Sequence, residues 1–314
     1  MNRPGVAVAL VALLAGCSDS TGPSGTNVTG PQFTITVRYV DQAPPSPAVM
    51  AAFDSATARW QGVIVDSVGS IAVQLAAGSC DPSQPAVNET VKDLLVLVHV
   101  QRITDTVPGE QTLGESGPCL VRDPGNIPVL GVMSLNSTTL VSLTQNGMLG
   151  DVIKHEMAHL LGFGTVWDLD NLVQDTTTKD PWFSGPDAQA AFHKALPSYT
   201  DKVVPVEAGG GAGTTLSHWR ESVMTNELMT GFLNSGPNPL SATTIESMAD
   251  LGYTVDASVA DPWPSPGSAA SRAVTGAQPA PPASVVEAPT PHTMLHGPRF
   301  SVTRSGQLRR LSPR

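Results

Sequence analysis

The ten residues His155-Glu156-Met157-Ala158-His159-Leu160-Leu161-Gly162-Phe163-Gly164 constrain this chain more than any other stretch. Histidines four apart lie one turn from each other on one helix face. That spacing lets two imidazoles share one zinc ion and sets the intervening glutamate beside the water such an ion holds. The flanks agree with a helix. Met148 to Lys154 leads in with apolar residues at helical spacing, and Leu160 and Leu161 continue the stripe. Gly162 and Gly164 are the residue type that ends a helix in a left-handed turn. An H-E-x-x-H pattern also arises by chance, and a lone helical histidine is more often a core residue than a ligand. The rest of the chain must therefore supply a third ligand.

The ends of the chain bear on where it works. Val6 to Ala15 is almost wholly apolar, too short to span a bilayer and of the length of a signal-peptide core. Leu14-Ala15-Gly16-Cys17 resembles the bacterial lipobox. That resemblance implies a signal peptide over 1–16, cleavage before Cys17 and lipid attachment to Cys17. Ser18 then matches outer-membrane sorting, and the expected location is the bacterial cell envelope, with the protein lipid-anchored and surface-exposed or released. Residues 17–31 read as a flexible polar tether. Cys80 and Cys119 remain, and an even pair in an exported chain reads as a disulfide. Closing that loop would stabilise by about 3–4 kcal/mol in the chain-entropy model.

A net charge of −10 and a pI near 5.0 argue against a nucleic-acid partner, because no basic patch is available to neutralise phosphates. The folded part is expected over 32–256. Phe33 to Tyr39 alternates as a strand, and Pro47 to Val63 reads as a helix with Met50, Phe53, Ala56 and Trp60 on one face. Asp93 to Val100 reads as a buried strand, and Leu113–Cys119 and Pro128–Met133 as further strands before the histidine helix. This order predicts an α+β fold, with a twisted mixed sheet over the active-site helix and a loop-rich C-terminal subdomain. Residues 165–217 read as mostly loop, with a short helix at Asp187 to Leu196 and a glycine-rich loop at Gly209–Gly213. Residues 257–314 are rich in Pro, Ala and Ser, end in a basic stretch, and read as a disordered tail.

The third ligand must come from His193, His218, Glu207, Glu221 or Glu227. His292 and His296 lie in the expected tail, which cannot hold a rigid ligand shell. In the pattern that continues H-x-x-G-x-x-H, the last position is occupied here by Thr165. His193 reads as a surface or half-buried helix residue. His218 is followed at short range by Asn226-Glu227-Leu228-Met229-Thr230-Gly231, a turn bearing a methionine.

With these residues in view, the chain resembles the leishmanolysin-like metallopeptidases, a branch of the metzincins, and in particular their bacterial members. The resemblance rests on His155 to Gly164, on the long insertion before His218-Trp219, on Glu227-Leu228-Met229-Thr230 and on Thr243 to Tyr253. It covers about residues 32–256. It implies one catalytic zinc ion held by His155, His159 and His218, with Met229 in the Met-turn, Glu156 as general base, and a protein or peptide as substrate. The protozoan members carry many disulfides and an inhibitory cysteine, and this chain departs from both features. Two other readings stand beside it. One is a gluzincin-like hydrolase with Glu221 or Glu227 as third ligand, and the other is a surface binding or adhesion module without catalysis.

Overall fold

A computed structural model describes residues 32–104, 112–199, 201, 203–211, 213–234, 236–264 and 297–312. The expected signal peptide, Cys17, the tether and His292 and His296 lie outside these residues. The first strand, β1, is Ile35–Tyr39, and the helix α1 is Pro47–Val63. Ser46 caps α1 by accepting the N–H of Val49, and Pro47 sits in the first turn, where its missing N–H costs nothing. The buried stripe is Val49, Phe53, Ala56, Trp60 and Val63. It therefore starts one residue earlier than Met50, which is only half-buried. Steps of four, three, four and three follow the 3.6 period more closely than the expected set.

The strands β2 (Ser70–Leu75) and β3 (Val87–Lys92) form an antiparallel ribbon. They were not legible as strands in advance. Next come β4 (Leu94–Gln101), β5 (Gly114–Asp123) and β6 (Pro128–Asn136). In the main sheet β1, β4 and β6 run parallel, and β5 lies antiparallel beside β6. The unbroken apolar run of β4 is buried on both faces. Leu94, Val96 and Val98 join the helix-side core, while Leu95 and Leu97 face the core under the β2–β3 ribbon. That second core also contains Cys80 and Cys119, which are joined in a disulfide across 39 residues.

A short helix α2 (Leu140–Gln145) precedes α3 (Leu149–Leu160), which lies against α1 on the helix side of the sheet. Trp60 donates its indole N–H to Lys154 O at 2.9 Å and so locks α1 to α3. Close approach of α3 to β6 needs glycine at 131, because a Cβ there would stand 2.4 Å from Leu160 Cδ2 and 2.9 Å from Gly117 O.

The C-terminal part has little regular structure, as expected of a loop-rich subdomain. Two-residue strands β7 (Val173–Gln174), β8 (Trp182–Phe183) and β9 (Val204–Pro205) form a small sheet. The helix α4 is Pro186–Ala195, α5 is the short Glu221–Met224, and α6 is Ala242–Asp250. The Asp250 carboxylate accepts the N–H groups of Asp187 and Ala188, both at 3.0 Å, and so caps α4 from α6. Phe163, Trp167, Phe183 and Trp219 pack together with ring centroids 4.5–5.4 Å apart. This aromatic cluster joins the end of α3 to the segment following His218.

The expectation of a disordered tail fails for the described part of 257–314. Ala257–Val259 form a 3-10 turn, and residues 297–312 return to the main sheet as β10 (Phe300–Thr303) and β11 (Leu308–Arg310). The strand β10 adds parallel to the free edge of β5, and β11 pairs antiparallel to β10. The reason is visible in the burial. Ser301 and Val302 are buried, and Val302 completes the core beneath the β2–β3 ribbon. A four-residue strand, Phe-Ser-Val-Thr, inside a Pro- and Arg-rich stretch carries too little periodicity to be read without that partner surface.

Candidate metal centre

The helix α3 carries His155, Glu156 and His159, all buried. It ends at Leu161, after which Gly162 (φ 111°) and Gly164 (φ 72°) turn the chain back. Thr165, which occupies the position of the absent third histidine, donates its hydroxyl to His159 O at 2.7 Å. A Cβ at Gly164 would fall 2.2 Å from Ser217 O. The glycine thus lets the segment bearing His218 approach the end of the helix.

Three imidazole nitrogens converge here. The Nε2 atoms of His155 and His159 are 3.0 Å apart, those of His159 and His218 are 3.0 Å apart, and those of His155 and His218 are 3.1 Å apart. The three histidines form the one candidate metal-binding group of His, Cys, Asp or Glu among the described residues. Each Nδ1 faces a main-chain carbonyl. His155 Nδ1 lies 2.7 Å from Leu228 O, His159 Nδ1 2.9 Å from Phe163 O, and His218 Nδ1 3.2 Å from Thr214 O and 3.0 Å from Ser217 Oγ, a hydroxyl that donates to Gly213 O and Thr214 O and so is left to accept here. A carbonyl only accepts, so the proton of each neutral ring sits on Nδ1 and the Nε2 lone pairs point at one another. Three lone pairs at this distance repel unless a Lewis acid lies between them. Ligands on a tetrahedral zinc with Zn–N near 2.0–2.1 Å stand about 3.3 Å apart, close to the spacing here. The donor set fits a zinc ion.

Glu156 points from the same helix toward β5. Ser116 Oγ stands 2.5 Å from Glu156 Oε2 and 2.9 Å from Glu156 O. A Cβ on Gly114 would sit 3.3 Å from Glu156 Oε1. The neighbouring Glu115 has its pKa raised, by burial first and then by the charges of Glu156 and Asp81. Ser116 was not singled out in the sequence, because a serine in a Gly- and Pro-rich strand carries no periodic signal.

Met229 is buried, and its turn packs onto α3 through Leu228 O, the acceptor for His155. Trp219 N donates to Met229 O at 3.0 Å, so the residue after His218 is tied directly to that turn. Beneath it lies Glu227, fully buried. Its Oε2 accepts Met229 N at 2.6 Å, and its Oε1 accepts Ser241 N at 3.0 Å, Ser241 Oγ at 2.7 Å and Thr244 Oγ1 at 2.5 Å. Burial raises its pKa, and those hydrogen bonds act in the opposite direction. Thr244 Oγ1 also accepts the Trp219 indole N–H at 2.8 Å.

These contacts correct the alternative ligands. Glu227 is taken up by the turn bearing Met229 and the N-terminus of α6, where four donors hold it. Glu221 lies on α5 and accepts Asn234 Nδ2 at 3.3 Å, and burial raises its pKa. Glu207 accepts Ala208 N and Gly209 N at 3.0 Å and Glu221 N at 3.1 Å. His193 rides on α4 beside Phe192. None of the four joins the three-histidine group. The sequence signal for the Glu227 network was the pairing Ser241 and Thr244, an N-cap residue and its third successor, ahead of an apolar helix.

Comparison with known proteins gives a consistent picture. The family model described as Leishmanolysin matches residues 87–271, more than half of the chain. The chain is 32% identical over 171 residues to Leishmanolysin from Leishmania donovani, covering 50% of this chain and 28% of that protein. It is 29% identical over 135 residues to a Leishmanolysin homolog from Crithidia fasciculata, covering 40% of this chain and 20% of that protein. The chain thus spans less than a third of the length of these relatives.

Proposed function

Because the chain belongs to the leishmanolysin family, we propose that it is a zinc-dependent endopeptidase acting on proteins or peptides at the cell envelope. The observation that carries this reading is the convergence of three Nε2 lone pairs, each ring oriented by a carbonyl at Nδ1, with a carboxylate on the same helix. His155, His159 and His218 would hold the ion, which would supply the Lewis acidity that acidifies water and polarises a peptide carbonyl. Glu156 takes the proton of the attacking water and passes it to the amine that leaves. Ser116 holds the Glu156 carboxylate in place for that transfer. The intact base argues against a purely structural zinc site, which gains nothing from one.

The test is metal content and casein hydrolysis together. Glu156→Gln is expected to keep one zinc per chain and to lose hydrolysis by about 10²–10⁴-fold. A variant that retains wild-type turnover removes Glu156 from the role of base. Location rests on the apolar run ended by Cys17, which supports export and lipid attachment. No helix among the described residues is long and apolar enough to cross a membrane. In a bacterial host, labelled palmitate is expected to enter the wild type and not Cys17→Ser. Equal labelling of both removes the lipid anchor from the reading.

A further inference from the structure

The strand β5 has two different halves along its outer edge. Its first half, Gly114–Pro118, pairs with β6 on one side only, and no strand among the described residues pairs with it on the other. Asn136 N donates to Leu113 O at 3.0 Å. In an antiparallel ladder, residues 113, 115 and 117 then face β6, while Gly114 and Ser116 turn their main-chain groups to the outer edge. The same two residues stand against the Glu156 carboxylate. A register shift follows between Pro118 and Val121. From Leu120 to Asp123 the outer edge is occupied by β10, residue for residue from Phe300 to Thr303.

The junction is closely held. Arg299 N donates to Cys119 O at 3.0 Å, and Arg299 Nη1 reaches Ser79 O at 3.4 Å, beside the disulfide. Arg309 of β11 pairs with Asp123 at 3.2 Å. A Cβ at Gly297 would lie 3.4 Å from Thr165 O, so the approach to β10 passes the end of the metal-site loop. Residues 297–311 lie beyond the stretch matched by the family model.

We propose that the C-terminal strand β10 is the end wall of the substrate groove, and that it sets how many residues the enzyme accepts on the amino side of the scissile bond. The inference rests on the endopeptidase reading above. An extended peptide adding to the open edge of β5 gains main-chain hydrogen bonds from Gly114 and Ser116. Antiparallel addition is the slightly more stable pairing. It puts the amino side of the peptide over the C-terminal half of β5, where Arg299 and β10 already hold the edge. From Ser116 to Pro118 the edge has room for about two or three residues at 3.3 Å each. A longer peptide must bend away at Cys119. The carboxyl side, running toward Gly114, meets no such wall among the described residues.

The experiment uses peptides with one to six residues on the amino side of the cleaved bond and a constant carboxyl side. Binding is read by fluorescence anisotropy to zinc-loaded Glu156→Gln, and cleavage by kcat/KM of the wild type. Affinity and kcat/KM are expected to rise to about the third residue and then stay level. Arg299→Pro in the Glu156→Gln background deletes the N–H that engages Cys119 while leaving Val302 in the core. It is expected to let longer peptides gain about fivefold more. Arg299→Ala, which keeps that N–H, is expected to retain the limit. Should the unaltered C-terminus allow a steady rise through the sixth residue, the wall is overturned, however the variants fold. Length-limited binding without any cleavage by the wild type keeps the wall and removes the endopeptidase. Cleavage without a length limit does the reverse.

Discussion

The two limbs of the candidate metal site are built by opposite means. The first limb, α3, places His155, Glu156 and His159 by helical period alone, and the helix is clamped by Trp60 to α1 and by Ser116 to β5. The second limb, from Thr214 to Thr230, has one short helix and no strand of its own, yet it delivers His218 to within 3.1 Å of the other two rings. Its order comes from the Trp219 N to Met229 O bond, the aromatic cluster and the four donors gathered on Glu227. Where the backbone forms no regular ladder, single bonds to distant carbonyls take its N–H groups, as from Leu216 N to Glu207 O, Arg220 N to Pro205 O and Leu228 N to Pro239 O, and Glu227 takes that of Met229. The irregular limb depends on single residues, whereas the helical limb spreads its order over twelve.

The largest expected effect tests whether the two limbs meet at one ion. His218→Ala should lose bound zinc and at least about 10³-fold of casein hydrolysis, as a three-ligand site falls to two. His193→Ala should keep both. The opposite pattern, read by metal analysis, would move the third ligand to α4.

A second variant asks whether Glu227 organises the irregular limb. Glu227→Ala leaves four buried donors without their acceptor. A loss of about 3 kcal/mol or more in urea unfolding is expected, since each unmet buried donor costs about 1–3 kcal/mol. Zinc affinity should fall as well, because the Met-turn carries the carbonyl that orients His155. Wild-type stability in this variant would show that the aromatic cluster alone suffices.

The smallest effect probes the regular limb. Ser116→Ala should lower kcat about tenfold with KM nearly unchanged, and Ser116→Thr should restore part of it. A change confined to KM, or to thermal stability, would make Ser116 a packing residue and not a support for the base.

Much of this was legible before the fold was known, but unevenly. Pro47–Val63 was readable to its ends, because a cap, a proline and a 3.6-residue stripe agree. That His218 lies with His155 and His159, beside the turn bearing Met229, was readable because a specific residue pairing stood in for periodicity. The β2–β3 ribbon escaped notice because Val87–Lys92 is mostly exposed and polar. The strand β10 was assigned to a tail, since Phe300–Thr303 becomes a strand only against the edge of β5.

The sequence by itself determined two histidines on one helix face with a glutamate between them, and a disulfide pair, now seen joined. Those properties follow from residue type and local spacing. The tertiary structure decided what joins them. It gathered His218, and not Glu221, Glu227 or His193, with His155 and His159. It also brought residues 300–303 to the edge of a strand almost two hundred positions earlier. Contacts between segments so far apart depend on which surfaces remain unpaired once the local elements have formed, and no local pattern of residues records that.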